Sequence, residues 1–150
     1  MVYTKENLGL FERTYLRTLN TALDYGGLAA SLLSGMGLTI QNGSLFAGGV
    51  IVSMAAPVAD NLFVSSTALE KLSGHKEEKV DRHLDNYING KILRNLLALF
   101  ITPQTANTYN DPTSLNILTT VSLVGLTVLS HAFSRRSKKR LTDLVESESR

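Results

Sequence analysis

Cysteine and tryptophan are both missing from the 150 residues, proline occurs only three times, and charged residues make up 19%. Without cysteine there is no disulfide, no thiolate metal site and no thiol nucleophile. The chain also has no glycine-rich phosphate loop, no paired-histidine zinc pattern and no nucleophile elbow. His75 and His83 lie in a charged segment, where Asp81, His83 and Asp85 read as a solvated face. His131 has no obvious second ligand on another segment. Neither a metal nor any other cofactor is expected, and the chain is not read as an enzyme. The net charge of +2 is too small to suggest a nucleic-acid partner, although the run SRRSKKR at 134–140 is locally basic. The first twenty residues lack a basic segment leading directly into an apolar core, so no cleaved signal peptide is expected.

What the chain does have is segregated charge. Mean hydropathy is close to neutral, at +0.04, so composition alone decides little. The lysines and arginines fall in three blocks, Lys5–Arg17, Lys71–Arg94 and Arg135–Arg150. Tyr25–Ala59, Asn95–Asn110 and Pro112–Ser134 carry no charge of either sign. A soluble helical domain needs a wet face on each helix and scatters its charge accordingly. The pattern predicts an all-α integral membrane bundle, with an N-terminal helical hairpin and one or two further spans.

Tyr25–Ala59 is too long for one span, since a bilayer of about 30 Å needs roughly 20 helical residues. Gln41-Asn42-Gly43 in its middle is a turn signature and predicts the hairpin. The arms are rich in small residues, among them Gly26 and Gly27 on the first and Gly48 and Gly49 on the second. Such residues let membrane helices approach closely. Pro57 is expected to kink the second arm. His75–Phe100 reads as an amphipathic helix with Val80, Leu84, Tyr87, Ile88, Ile92, Leu96 and Phe100 on its apolar face. Its second half, Ile92–Thr102, is a short span or an interfacial segment, with Lys91 and Arg94 snorkelling to the boundary. A polar loop over 103–113 follows. The last span, Pro112–Ser134, carries Asn116, Thr119, Thr120, Ser122, Thr127 and Ser130, groups suited to hydrogen bonds between helices.

Basic residues favour the cytoplasmic side. Four spans, at about 18–40, 44–66, 88–104 and 112–134, put all three basic blocks there, with both termini inside. Three spans would strand the RRSKKR segment on the other side, so four are preferred. The chain divides into a membrane domain over 1–134 and a basic-then-acidic cytoplasmic tail over 135–150.

The segment Glu12-Arg13-Thr14-Tyr15-Leu16, followed by Leu19-Asn20 and Gly26-Gly27-Leu28, resembles the start of the first membrane helix in a known family. That family is the three-helix membrane domain of the vacuolar transporter chaperone complex, which makes and translocates polyphosphate, and of related small bacterial inner-membrane proteins. The register matches from Glu12 to about Leu33. Thr18 stands where the family usually has tryptophan, Pro112 where it has a basic residue, and Glu6, with Lys5 beside it, where it has lysine. The resemblance implies an oligomeric membrane subunit that handles an anion such as polyphosphate, with basic side chains at a channel mouth, of which Arg13 carries over directly.

The anion-binding candidates are Arg13, Arg17 and Lys5. Arg13, Arg17, Asn20 or Thr21, and Asp24 fall along one helical face, as a pore lining or as a helix emerging from the membrane. The intramembrane polar candidates are Asn20, Asp24 and Asp60, and hairpin geometry brings the two aspartates to the same depth. These two would share a proton or cation, or sit at the interface as helix ends paired with Arg17, Lys71 or lipid; Asp24 bonded to an arginine of a neighbouring helix would also be structural. The expected partners are the lipid bilayer and either further copies of the chain or other membrane subunits. The alternative function is a non-transporting structural or accessory subunit of a larger membrane complex.

Overall fold

A computed structural model describes residues 10–69 and 77–148, with backbone alone at 10–17, 19–20, 61–69, 77–81, 142 and 144–148. Four helices account for almost all of it: α1 Leu10–Thr39, α2 Gly43–Leu69, α3 Glu77–Asn110 and α4 Ser114–Glu148. There is no strand among the described residues. Two stretches, Gly43–Asp60 and Ser114–Leu141, are long and apolar enough to cross a membrane.

The hairpin turns where the sequence predicts. Gln41 takes a left-handed conformation (φ 56°). Its N–H bonds to Leu38 O at 3.3 Å, and the Asn42 N–H reaches back to Gly37 O at 2.8 Å. These paired bonds close the C-terminus of α1 in the Schellman pattern. Asn42 then caps α2, its Oδ1 accepting from Leu45 N at 3.0 Å. One residue therefore ends one helix and starts the next, which keeps the turn short. Gly49 lies against α1, where a Cβ would come within 2.7 Å of Ala30 O, and Gly27 lies 2.7 Å on the same measure from Asn95 Nδ2. Gly26 and Gly48 were expected to pack helices as well, but a Cβ on either meets nothing within 4 Å. A neighbour in sequence is rotated about 100° around a helix (3.6 residues per turn), so only one of each pair faces inward.

α3 corrects two expectations. The segment 103–113 is not a polar loop: α3 continues through Pro103 to Asn110, and only Asp111–Thr113 separates it from α4. Gln104, Asn107 and Thr108 have partners on α4. Thr108 Oγ1 donates to Asn116 O at 3.1 Å and lies 2.8 Å from Thr120 Oγ1, while Asn107 Nδ2 donates to Asn116 Oδ1 at 3.3 Å. The face of α3 is also turned relative to the expected apolar stripe. Leu84, Tyr87, Lys91, Arg94, Asn95, Ala98 and Leu99 are buried, whereas Leu96 and Phe100 are exposed. Lys91 and Arg94 therefore do not snorkel to a boundary.

The bundle runs up-down-up-down. α1 pairs with α2, both pack on α3, and α4 packs chiefly along α3. Both hairpin turns lie at one end and the basic C-terminal part of α4 at the other. Each internal proline costs its helix one hydrogen bond, and the carbonyl freed by Pro57 has a donor on another helix. Pro57 is buried within α2, and Asn95 Nδ2 donates to the released Ser53 O at 2.8 Å. Pro103 releases Leu99 O, which faces Gly35, where any Cβ would collide with it.

Candidate functional site

The interior of the bundle holds a layer of ion pairs. Lys91, on α3, bridges the two aspartates: its Nζ lies 2.8 Å from Asp24 Oδ1 and bonds to Asp60 Oδ2. Lys91 and Asp60 are each 1% exposed. The sequence brought Asp24 and Asp60 to one depth, and here they meet through a cation between them.

One turn further along α3, Arg94 is also 1% exposed. Its Nη2 donates to Asp24 O at 2.7 Å and to Asn95 Oδ1 at 2.9 Å. Its Nε donates to the same Asn95 oxygen at 3.0 Å. Its Nη1 faces Asp24 Oδ1 at 3.4 Å and His131 Nδ1 at 3.1 Å. An arginine only donates, so His131 accepts through Nδ1 and carries its proton on Nε2. A guanidinium has five N–H bonds, and protein acceptors match all of them.

Tyr87 closes the α2 side. Its hydroxyl donates to Asp60 Oδ2 and accepts from Lys138 Nζ of α4 at 3.3 Å. Lys91 Nζ also lies 4.6 Å from the Tyr87 ring centroid, within range of the ring's negative face. Ser134 Oγ donates to Tyr87 O at 3.1 Å. Every helix thus contributes a polar group at this level: Asp24 from α1, Asp60 from α2, Tyr87, Lys91, Arg94 and Asn95 from α3, His131 and Ser134 from α4. Isolated, each buried charge would cost several kcal/mol. Pairing and full hydrogen bonding are what make the layer tenable.

The other candidates fall apart from this layer. The backbones of Arg13, Arg17 and Asn20 lie in α1, but their side chains, and all of Lys5, are outside the described residues. Of the polar residues along the last span, Asn116 and Thr120 pair with α3, Thr127 and Ser130 are buried, and Thr119 and Ser122 are exposed. Lys91, Arg94, Tyr87 and Asn95 join the site beyond the candidates expected from the sequence. Their signal was present: positions 87, 91, 94, 95 and 98 form one stripe at three- and four-residue spacing, beside the apolar one chosen. What emerges is a four-helix bundle built around an ion-paired layer. No protein family, curated protein or solved structure matches this chain.

Proposed function

We propose that this chain is a polytopic membrane protein with four crossings and both termini cytoplasmic, serving as a non-transporting subunit of a larger membrane assembly. The observation that carries the membrane assignment is the inversion of polarity across the fold. Ser31, Ser34, Ser53, Asp60, Lys91, Arg94 and Asn95 are buried, while Ile51, Leu118, Val121, Val128 and Leu129 are 60–68% exposed. Only 17% of each candidate span is buried within the bundle, unlike the core helix of a soluble protein. In lipid the arrangement is favourable, because ionised groups face a partner inside the bundle and aliphatic groups face hydrocarbon.

Depth agrees. From Asp24 to the first turn, and from Arg94 to the end of α3, there are about 16 uncharged residues, or ~24 Å of helix. A hydrocarbon layer of about 30 Å then places the ionised layer roughly one turn inside the cytoplasmic boundary. The basic part of α4 begins at this level, where Lys138 meets Tyr87, and continues toward the boundary.

The subunit reading rests on the saturation of Arg94 and on Lys91 being held between two carboxylates. Cations so engaged serve as a clamp between helices rather than as a landing place for a passing anion. The second reading is an oligomeric subunit handling an anion such as polyphosphate, as the family resemblance implies. It is supported by the continuity of α1 from Leu10, which sets Arg17 and Arg13 two and three turns before Asp24 along one line.

Alkaline carbonate washing of membranes tests the assignment: the chain is expected in the pellet, and recovery in the wash contradicts it. Purified in mild detergent, it is expected to carry a fixed partner and to give vesicles no polyphosphate flux above empty controls. Flux that disappears in Arg13→Ala would replace the subunit reading with the transport one.

A further inference from the structure

The basic run near the end of α4 is divided by the fold. Arg135 Nη2 donates to the Tyr25 hydroxyl of α1 at 2.9 Å. Lys138 is half-buried and reaches the Tyr87 hydroxyl, its Nζ 5.3 Å from the ring centroid. These two are engaged with the bundle. Arg136, Lys139 and Arg140 are exposed and form no ion pair among the described residues. Ser137 and Leu141 between and beyond them are buried, so the rotation of the helix here is fixed by packing.

The outward face that carries these three cations begins as an apolar one. Leu129 and Phe133 are exposed at 65% and 50%, and Ala132 is exposed beside them. Positions 129, 133, 136 and 140 follow helical spacing along a single stripe. Within about one turn, ~5 Å, the stripe changes from Leu and Phe to Arg and Lys. No carboxylate interrupts it between Ser114 and Arg140.

We propose that this stripe is a binding site for an anionic phospholipid: acyl chains lie along Leu129, Ala132 and Phe133, and Arg136, Lys139 and Arg140 hold the headgroup phosphate. The proposal rests on the membrane assignment above. Charge complementarity selects the occupant, since three cations adjoin an apolar strip close to the cytoplasmic boundary, where long side chains reach outward to lipid phosphates. The two guanidinium groups offer planar paired donors that match phosphate oxygens.

The test uses the full-length protein in dodecyl maltoside with equal amounts of phosphatidylglycerol and phosphatidylcholine, read by native mass spectrometry. The wild type is expected to retain phosphatidylglycerol preferentially, with roughly fivefold of that preference lost for each of R136Q, K139Q and R140Q. Arg82→Gln, which removes an exposed cation from α3, is expected to leave it intact. Phosphatidylglycerol is also expected to raise the melting temperature of the wild type and not of the triple variant. Preference that survives the triple substitution, or a wild type with none, overturns the proposal. So does displacement of the lipid by an equal concentration of inorganic phosphate or polyphosphate, which would identify a soluble anion as the ligand. A chain that needs no detergent to stay in solution would instead overturn the membrane assignment on which the site rests.

Discussion

Lys91 is the residue on which the ionised layer turns. It is the cation between Asp24 and Asp60, and Asp60 has no arginine of its own among the described residues. Replacing a partner in a buried ion pair costs about 3–5 kcal/mol, most of it from the charge left behind. Lys91→Met leaves two carboxylates facing one another, so it is expected to lower the melting temperature in detergent well beyond the effect of a surface change such as Arg82→Gln. The triple change Lys91→Met with Asp24→Asn and Asp60→Asn removes the stranded charges and is expected to recover part of the loss. Equal melting temperatures for wild type and Lys91→Met would show that the layer contributes nothing to cohesion.

At the scale of elements, the prolines in α2 and α3 explain several of the polar contacts. Pro57 frees Ser53 O, and Asn95 answers it from another helix. Losing that donor leaves a buried carbonyl unsatisfied, at a cost of about 1–3 kcal/mol. Asn95→Ala is therefore expected to destabilise the protein by at least this amount, since it also removes the acceptor of Arg94 Nε and Nη2. The loss is expected to be smaller in a Pro57→Ala background, where the backbone N–H restored at position 57 can bond to Ser53 O. A double-mutant cycle on melting free energies checks this, and additive effects would contradict it. The same elements show what was legible beforehand. The hairpin could be read because Gln41-Asn42-Gly43 is a local signal and its turn is made by local bonds. The equal depth of Asp24 and Asp60 followed from counting residues along two arms. The face of α3 could not be read in this way. An apolar stripe and a polar stripe share that helix, and which one turns inward depends on whether water or lipid lies outside. Assigning the apolar stripe to the core sent Lys91 and Arg94 to the boundary. The end of α3 was misread for a related reason: Gln104, Asn107 and Thr108 resemble loop residues until Asn116 and Thr120 are seen to receive them.

For the whole molecule, the ionised layer, the uncharged slab and the basic end of α4 form one sequence of depths. Both turns, at 40–42 and 111–113, belong to the far side of the slab, and the basic part of α4 to the near side. The chain has no cysteine, so single cysteines can be introduced and labelled without background. The measurement that tests the account most directly is labelling of Gln41→Cys, Asp111→Cys and Lys139→Cys by a membrane-impermeant maleimide on intact cells or sealed vesicles, before and after permeabilisation. Positions 41 and 111 are expected to react from the outside in the intact preparation, and position 139 only once the membrane is opened. Labelling of 41 and 111 on opposite sides, or equal reaction at all three positions before permeabilisation, would contradict a four-crossing bundle with its ionised layer near the cytoplasmic face.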